Sequence, residues 1–203
     1  MLYQDYGVPS PRLGPDVPDE TVWESFVRTQ GDRVGLDRAD AAPMPEVPDG
    51  ASMRDAIAAS IREYQSTFGI DLAAYDTAAL LRLSQYNLFP NASVLVWGDE
   101  LNVLLALPGR THDTAELVVF VLHRASLEKP RRRPRDLVFP PDGDIGPVFN
   151  QDVSVLKTAQ RGLEQPGLTH LALSSEECRI VNLHRNLEHY LDITPSELSP
   201  IPS

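Results

Sequence analysis

Few side chains in this sequence combine the type and the spacing that chemistry requires: five histidines, one cysteine and a background of carboxylates. His184 and His189 stand five residues apart, and on a regular helix that separation turns one side chain about 140° from the other. The pair therefore points at different faces and reads as core or surface residues rather than as two ligands. His112 falls in a turn between strands, His123 at a strand end and His170 in a loop after Gly167, and each reads as structural. Cys178, near the start of the last helix, reads as a small buried packing residue, and with no base beside it nucleophilic catalysis is not indicated. Asp152 precedes an apolar stretch and, taken alone, reads as a helix N-cap. Gly-rich phosphate loops and nucleophile elbows are absent from the sequence.

The elements that must position these residues follow from the hydrophobic period. Ser52, with Asp55 three residues on, makes a capping-box start. Met53, Ile57, Ile61, Tyr64 and Phe68 then recur at helical spacing as far as Gly69. A second short helix is expected over 77–83. Residues 92–97, 101–107 and 117–123 are rich in Val, Leu and aromatics, and the segments 98–100 and 108–113 between them read as turns. Three antiparallel strands in a meander are expected. A helix is expected over 152–163, ended by Gln165-Pro166-Gly167. The last helix is expected over 175–191, with Glu176 and Glu177 near its positive end and Ile180, His184, Leu187 and Leu191 on its inner face. Residues 1–50 are proline-rich with little periodicity and read as irregular, with one short strand near 21–29. Strands followed by long helices indicate α+β.

Two segments go beyond generic folding signals. Ser84-Gln85-Tyr86-Asn87-Leu88-Phe89-Pro90-Asn91 runs straight into the first strand of the meander. Asn150-Gln151-Asp152-Val153 is followed by Gln160-Arg161-Gly162-Leu163 and then by Leu173-Ser174-Ser175-Glu176-Glu177. In this order and at these separations they resemble the catalytic domain of Rieske non-haem iron ring-hydroxylating oxygenase α subunits, most clearly over residues 75–192. The resemblance implies a helix-grip fold, in which a curved antiparallel sheet packs against a long C-terminal helix. It divides the chain into an irregular opening (1–50), a catalytic-domain-like part (51–193) and a tail (194–203). It further implies O₂-dependent hydroxylation or demethylation of a small aromatic or hydrophobic substrate at mononuclear Fe(II), with a reductase or ferredoxin as electron donor and a homo-oligomeric assembly. On this resemblance Asp152 takes the position of the iron's carboxylate ligand, and Asn87, Phe89, Pro90, Asn91, Gln160, Arg161 and Gly162 are family-motif positions. A ferrous centre that stays open to O₂ is held by two histidines and one carboxylate on a single face.

The sequence departs from that pattern in three places. One cysteine cannot make the Cys/His pairs that hold a [2Fe–2S] Rieske cluster. Residues 1–90 contain no histidine, whereas the family's ligand pair lies upstream of the Tyr86–Asn91 segment. Lys157 stands where the family's helix carries an acid. The expected identity is thus the C-terminal catalytic portion of such a subunit, inactive as this chain alone. Two other readings stay open: a metal-free module that binds a small hydrophobic ligand, and a subunit whose partner chain supplies the cluster and the histidines.

Composition narrows the partners. A net charge of −11 disfavours nucleic acid and anionic membranes, both of which repel the protein as a whole. No apolar run reaches the roughly 18 residues that a membrane span needs. The first residues lack the basic and apolar regions of a signal peptide, and a single cysteine excludes an internal disulfide framework, so a cytoplasmic protein is expected. The basic run 129–135, interrupted by prolines, reads as an exposed loop.

Overall fold

The computed structural model describes residues 2–5, 17–37, 42–130 and 133–193; the tail, much of the opening segment and part of the basic run lie outside the described residues. The first helix, α1, covers Asp19–Gln30, with Asp19 and Glu20 in its first turn, where the helix dipole favours acids. Trp23, Phe26 and Val27 are buried. The segment 21–29 is therefore helical and not the expected strand. Its β-branched and aromatic residues suggest a strand, but the buried positions recur at three and four, the period of a helix face. A 3-10 turn, Gly31–Val34, follows, and Gly35 ends it at φ 76, left-handed backbone that glycine adopts without steric penalty.

Helix α2 (Met53–Ser66) starts with the expected capping box: Ser52 Oγ accepts from the Asp55 amide, and Asp55 Oδ2 accepts from the Ser52 amide at 3.0 Å. Hydrogen bonds from the Ser52 hydroxyl, and then from that of Thr77, hold the Asp55 carboxyl below its usual range. Helix α3 (Thr77–Leu81) is capped by Asp76, whose Oδ1 accepts from the Ala79 amide at 2.7 Å. The core lies among these elements: Trp23 and Phe26 from α1, Met53, Ile57 and Ile61 from α2, and Leu80 and Leu81 from α3, with Ile70 and Leu72 from the connection.

Five strands follow a simple meander. β1 (Leu2–Asp5), β2 (Arg82–Leu88), β3 (Ala92–Val96), β4 (Glu100–Pro108) and β5 (Ala115–His123) pair antiparallel in chain order. The three expected strands are present, and the Ser84–Asn91 segment adds β2 and the turn into β3. Because side chains alternate across a strand, the register separates two faces. Tyr86, Leu88, Val94, Val103, Leu105, Phe120 and Leu122 share one face, whereas Gln85, Asn87, Ser93, Asn102, Glu100 and His123 share the other with Leu95, Leu104, Val119 and Val121. The first face is apolar, yet Tyr86, Leu88, Phe120 and Leu122 are 41–55% exposed.

Two helices complete the described chain. α4 spans Pro147–Leu163, starting five residues before the expected position because Pro147 is pre-set for the first helical position. From its first turn, Asn150 Oδ1 accepts from the Ile145 amide at 3.0 Å and Asn150 Nδ2 donates to Asp144 Oδ1 at 2.8 Å, tying down the preceding loop. Lys157 Nζ ties the preceding loop to the helix through Pro141 O and Asp142 Oδ1, at 3.0 and 2.9 Å. After a 3-10 turn at Ser175–Glu177, α5 covers Cys178–Tyr190. Neither α4 nor α5 buries a residue. Ile180, His184, Leu187 and Leu191, expected on an inner face, are exposed, and so is Cys178, expected to be buried. The apolar spacing of α5 is as read, but the described residues place no layer over it; the helix meets the end of β2 where the Tyr190 ring lies edge-on to Phe89. The architecture is α+β, with an antiparallel sheet beside a helical core. No described helix is long and apolar enough to cross a membrane.

Candidate functional site

Where the β3–β4 turn enters the helical core, polar side chains are buried together. Asp99 and Arg33 are each 1% exposed. Arg33 Nε donates to Asp99 Oδ1 at 3.1 Å and its Nη2 donates to the same oxygen at 2.5 Å. The remaining guanidinium donors reach Leu80 O at 2.9 Å and Gln30 Oε1 at 2.5 Å. Gln65 Nε2, from α2, donates to Asp99 Oδ2 at 3.2 Å. Every buried partner of this ion pair is hydrogen-bonded, the condition under which two charges tolerate a dry site.

One residue further on, Glu100 opens β4 and faces His123, its register partner at the end of β5. Glu100 is 7% exposed. His123 Nδ1 lies 3.4 Å from Glu100 Oε2. Asp32, in the 3-10 turn, completes the group: ligand-type atoms of Asp32, Glu100 and His123 all lie within 4.8 Å of one another. Burial pushes the Glu100 carboxyl up from 4.5 to about 7; Asp32 adds to the rise and the Arg33 charge opposes it. Sequence reasoning reads 98–100 as a tight turn and His123 as structural, and so misses this group. The available signal is two acids in succession between two strongly apolar strands, a place where an exposed turn more often carries Asn or Gly.

The residues singled out by sequence lie elsewhere. Asp152 is exposed in the second turn of α4, where Gly146 and not Asp152 occupies the N-cap position, so the capping role read from sequence does not hold. Asp152 makes no hydrogen bond or ion pair with a described residue, and among the described residues it belongs to no group of three metal-ligating side chains. Asn87, Phe89, Pro90 and Asn91 form the end of β2 and the turn into β3. There Asn87 Oδ1 accepts from Ser93 Oγ at 3.3 Å, and Asn91 Nδ2 donates to Ala106 O at 2.9 Å. Gln160, Arg161 and Gly162 are exposed in the last turns of α4, with Gln160 Nε2 donating to Glu164 Oε1 at 3.1 Å. His184 and His189 are exposed on α5; His112 is exposed in its turn, and His170 is exposed in its loop, in contact with Thr169 Oγ1. A solvent-open depression bounded by Arg62, Ser66, Ile70 and Leu72 contains none of the motif residues.

A family model described as ring hydroxylating alpha subunit (catalytic domain) matches residues 18–193. No curated protein and no solved structure gives a significant match. The matched span takes in α1, the core helices, β2 to β5, α4 and α5, which is most of the chain. The chain belongs to the ring-hydroxylating α-subunit family, through its catalytic domain.

Proposed function

We propose that this chain provides the substrate-side wall of a ring-hydroxylating oxygenase: a sheet that receives a small aromatic or hydrophobic molecule, in an enzyme that hydroxylates or demethylates it with O₂ at mononuclear Fe(II). The observation that carries this reading is the apolar sheet face of Tyr86, Leu88, Val94, Val103 and Phe120, left half-open inside a span that matches the family's catalytic domain. In the helix-grip arrangement such a face lines the ligand cavity, and an apolar concave wall with few polar groups suits an aromatic ring. Residues 51–193 form the functional unit in this proposal, and Asp152 is the position of the iron's carboxylate ligand.

The residues present do not fit the two-histidine, one-carboxylate iron site that the family implies. Among the described residues Asp152 belongs to no group of ligating side chains, and residues 1–90 contain no histidine to join it. When bound, ferrous iron supplies O₂ activation; this chain's own contribution is to hold an apolar substrate and exclude water from it. The chain by itself is accordingly proposed to bind without turning over, with a reductase or ferredoxin acting on the assembled enzyme. The open apolar face with an isolated Asp152 favours a second reading, a metal-free hydrophobic ligand-binding module.

Phe120 and Val121 are adjacent on β5, 47% and 46% exposed, and point to opposite faces. Phe120→Asp should abolish saturable binding of a bicyclic aromatic probe, followed by tryptophan fluorescence, while Val121→Asp should retain it. Equal loss in both variants, or no saturable binding by the parent protein, rules out the apolar face as the ligand wall.

A further inference from the structure

We propose that Asp32, Glu100 and His123 form a divalent-cation site, specific for first-row transition ions, at the junction between the 3-10 turn and the first residue of β4. The three residues come from separate parts of the chain, yet their ligand atoms gather within 4.8 Å. Each offers one good donor, and the mixture of imidazole and two carboxylates suits Zn(II), Co(II), Mn(II) or Fe(II). The site shares no residue with the Asp152 segment and does not rest on the oxygenase reading.

Two independent observations point to an ion. First, Glu100 Oε2 is closed off from solvent and accepts no hydrogen bond. The Glu100 side chain is only 6% exposed. Its facing ligand atom, His123 Nδ1, pairs with it at 3.4 Å. A buried carboxylate oxygen that accepts no hydrogen bond is disfavoured, even though Asn102 hydrogen-bonds elsewhere on the Glu100 carboxylate. Asn102, two residues along β4 on the same face, also carries a buried side-chain oxygen with no hydrogen-bond partner. Second, the spacing suits coordination. Ligands about 2.1 Å from a tetrahedral ion are separated by about 3.4 Å, and Glu100 and His123 already stand at that separation. Asp32 is the exposed member and needs to close by no more than about 1.4 Å, the difference between 4.8 Å and that edge.

Charge favours the same conclusion. Asp32, Asp99 and Glu100 set three carboxylates around a single guanidinium, that of Arg33. Arg33 is already committed to Asp99 by its hydrogen bonds. With all three acids ionised the pocket is left with two negative charges, which a dication neutralises. The rigid parts are in place as well: Glu100 and His123 are fixed by the β4–β5 register, and Arg33 anchors the turn that presents Asp32.

The test is Co(II) titration of the whole chain after chelator treatment and dialysis, read by visible d–d absorption and by calorimetry. The expected result is one equivalent bound, with affinity reduced at least tenfold in His123→Gln and in Asp32→Asn and unchanged in Asp152→Ala. Asp32 is exposed, so Asp32→Asn keeps the test valid if a change at His123 disturbs folding. Absence of saturable Co(II) uptake overturns the proposal. So does uptake that survives both Asp32→Asn and His123→Gln, which would place the ion on other surface histidines.

Discussion

Replacing Asp99 by alanine leaves the Arg33 guanidinium in a dry site without the carboxylate that accepts its hydrogen bonds. Arg33 is 1% exposed, and it would keep only Gln30 Oε1 and Leu80 O as acceptors; the bond from Gln65 Nε2 to Asp99 would be lost at the same time. Removing one partner from a buried pair costs about 3–5 kcal/mol, mainly because the remaining charge is still buried. A domain of this size has a total stability of about 5–15 kcal/mol, so Asp99→Ala should remove a large share of it. With a urea slope of about 2 kcal/mol per molar, the unfolding midpoint should fall by about 2 M. Urea unfolding by circular dichroism, at fixed protein concentration and in chelator, measures this directly. The double variant Arg33→Met/Asp99→Leu replaces both charges with apolar volume and should recover most of the loss, because the penalty belongs to the unpaired charge and not to missing contacts. An Asp99→Ala protein within about 1 kcal/mol of the parent, or a double variant no more stable than Asp99→Ala, would refute the argument that this ion pair anchors the turn against the helices.

Glu100 supplies a pH dependence of defined sign. Its carboxyl is raised in the folded protein from 4.5 to about 7, which corresponds to about 3 kcal/mol between its protonation states. A raised folded-state value means that the contribution is fully present below pH 4.5 and is lost as pH rises through 7. The metal-free protein should therefore lose stability between pH 5 and 8, with Asp32, Asp99, Arg33 and His123 as the charged or titratable groups facing Glu100. Glu100→Gln should flatten that dependence in chelator-containing buffer, and an unchanged slope would show that the Glu100 proton is not responsible. Ile57 is fully buried in α2, and Ile57→Ala should lower stability by about 2–5 kcal/mol through lost transfer energy and the cavity it leaves. Thermal unfolding that shifts by less than 2 °C would place the core elsewhere.

The parts of the fold legible in the sequence are those set by local signals. Ser52 and Asp55 announce the start of α2, and alternation of Val, Leu and aromatics announces β3, β4 and β5. α1 was masked because Thr21, Val22, Val27 and Thr29 favour strands in isolation, while the decisive fact is that Trp23, Phe26 and Val27 meet α2. β2 was hidden because its alternating pattern is weak: Gln85 and Asn87 face Ser93 and Leu95 across the sheet, so neither face of the strand is buried in full. The Arg33–Asp99 pair joins residues 66 apart in sequence, with no local pattern at either end. Asp99 and Glu100 look like turn acids until the helical core is in place around them. On α5, helical spacing identifies Ile180, Leu187 and Leu191 as one apolar face, but spacing does not specify what covers a face, and Cys178 is exposed for the same reason.

The residues on which the sequence resemblance rests are not those that hold the fold. Asn87, Phe89, Pro90, Asn91, Asp152, Gln160, Arg161 and Gly162 are all exposed, whereas Phe26, Ile57, Ile61, Leu80 and Leu81 are fully buried. Exposed positions away from special contacts change folding free energy by about 0.5 kcal/mol or less, so Asp152, which makes no contact of this kind with a described residue, is nearly free of a stability role. A polar or aromatic side chain at such a place is selected through what it meets outside its own core. On the proposed reading, recognition lies along the β2–β3 turn and α4, while stability lies in α1 to α3 and the Arg33–Asp99 pair. The Asp32–Glu100–His123 group sits on the boundary between the two, tied to the stabilising pair by sequence neighbours at both Asp32 and Glu100, and its occupancy would couple the state of the sheet to the stability of the helical core.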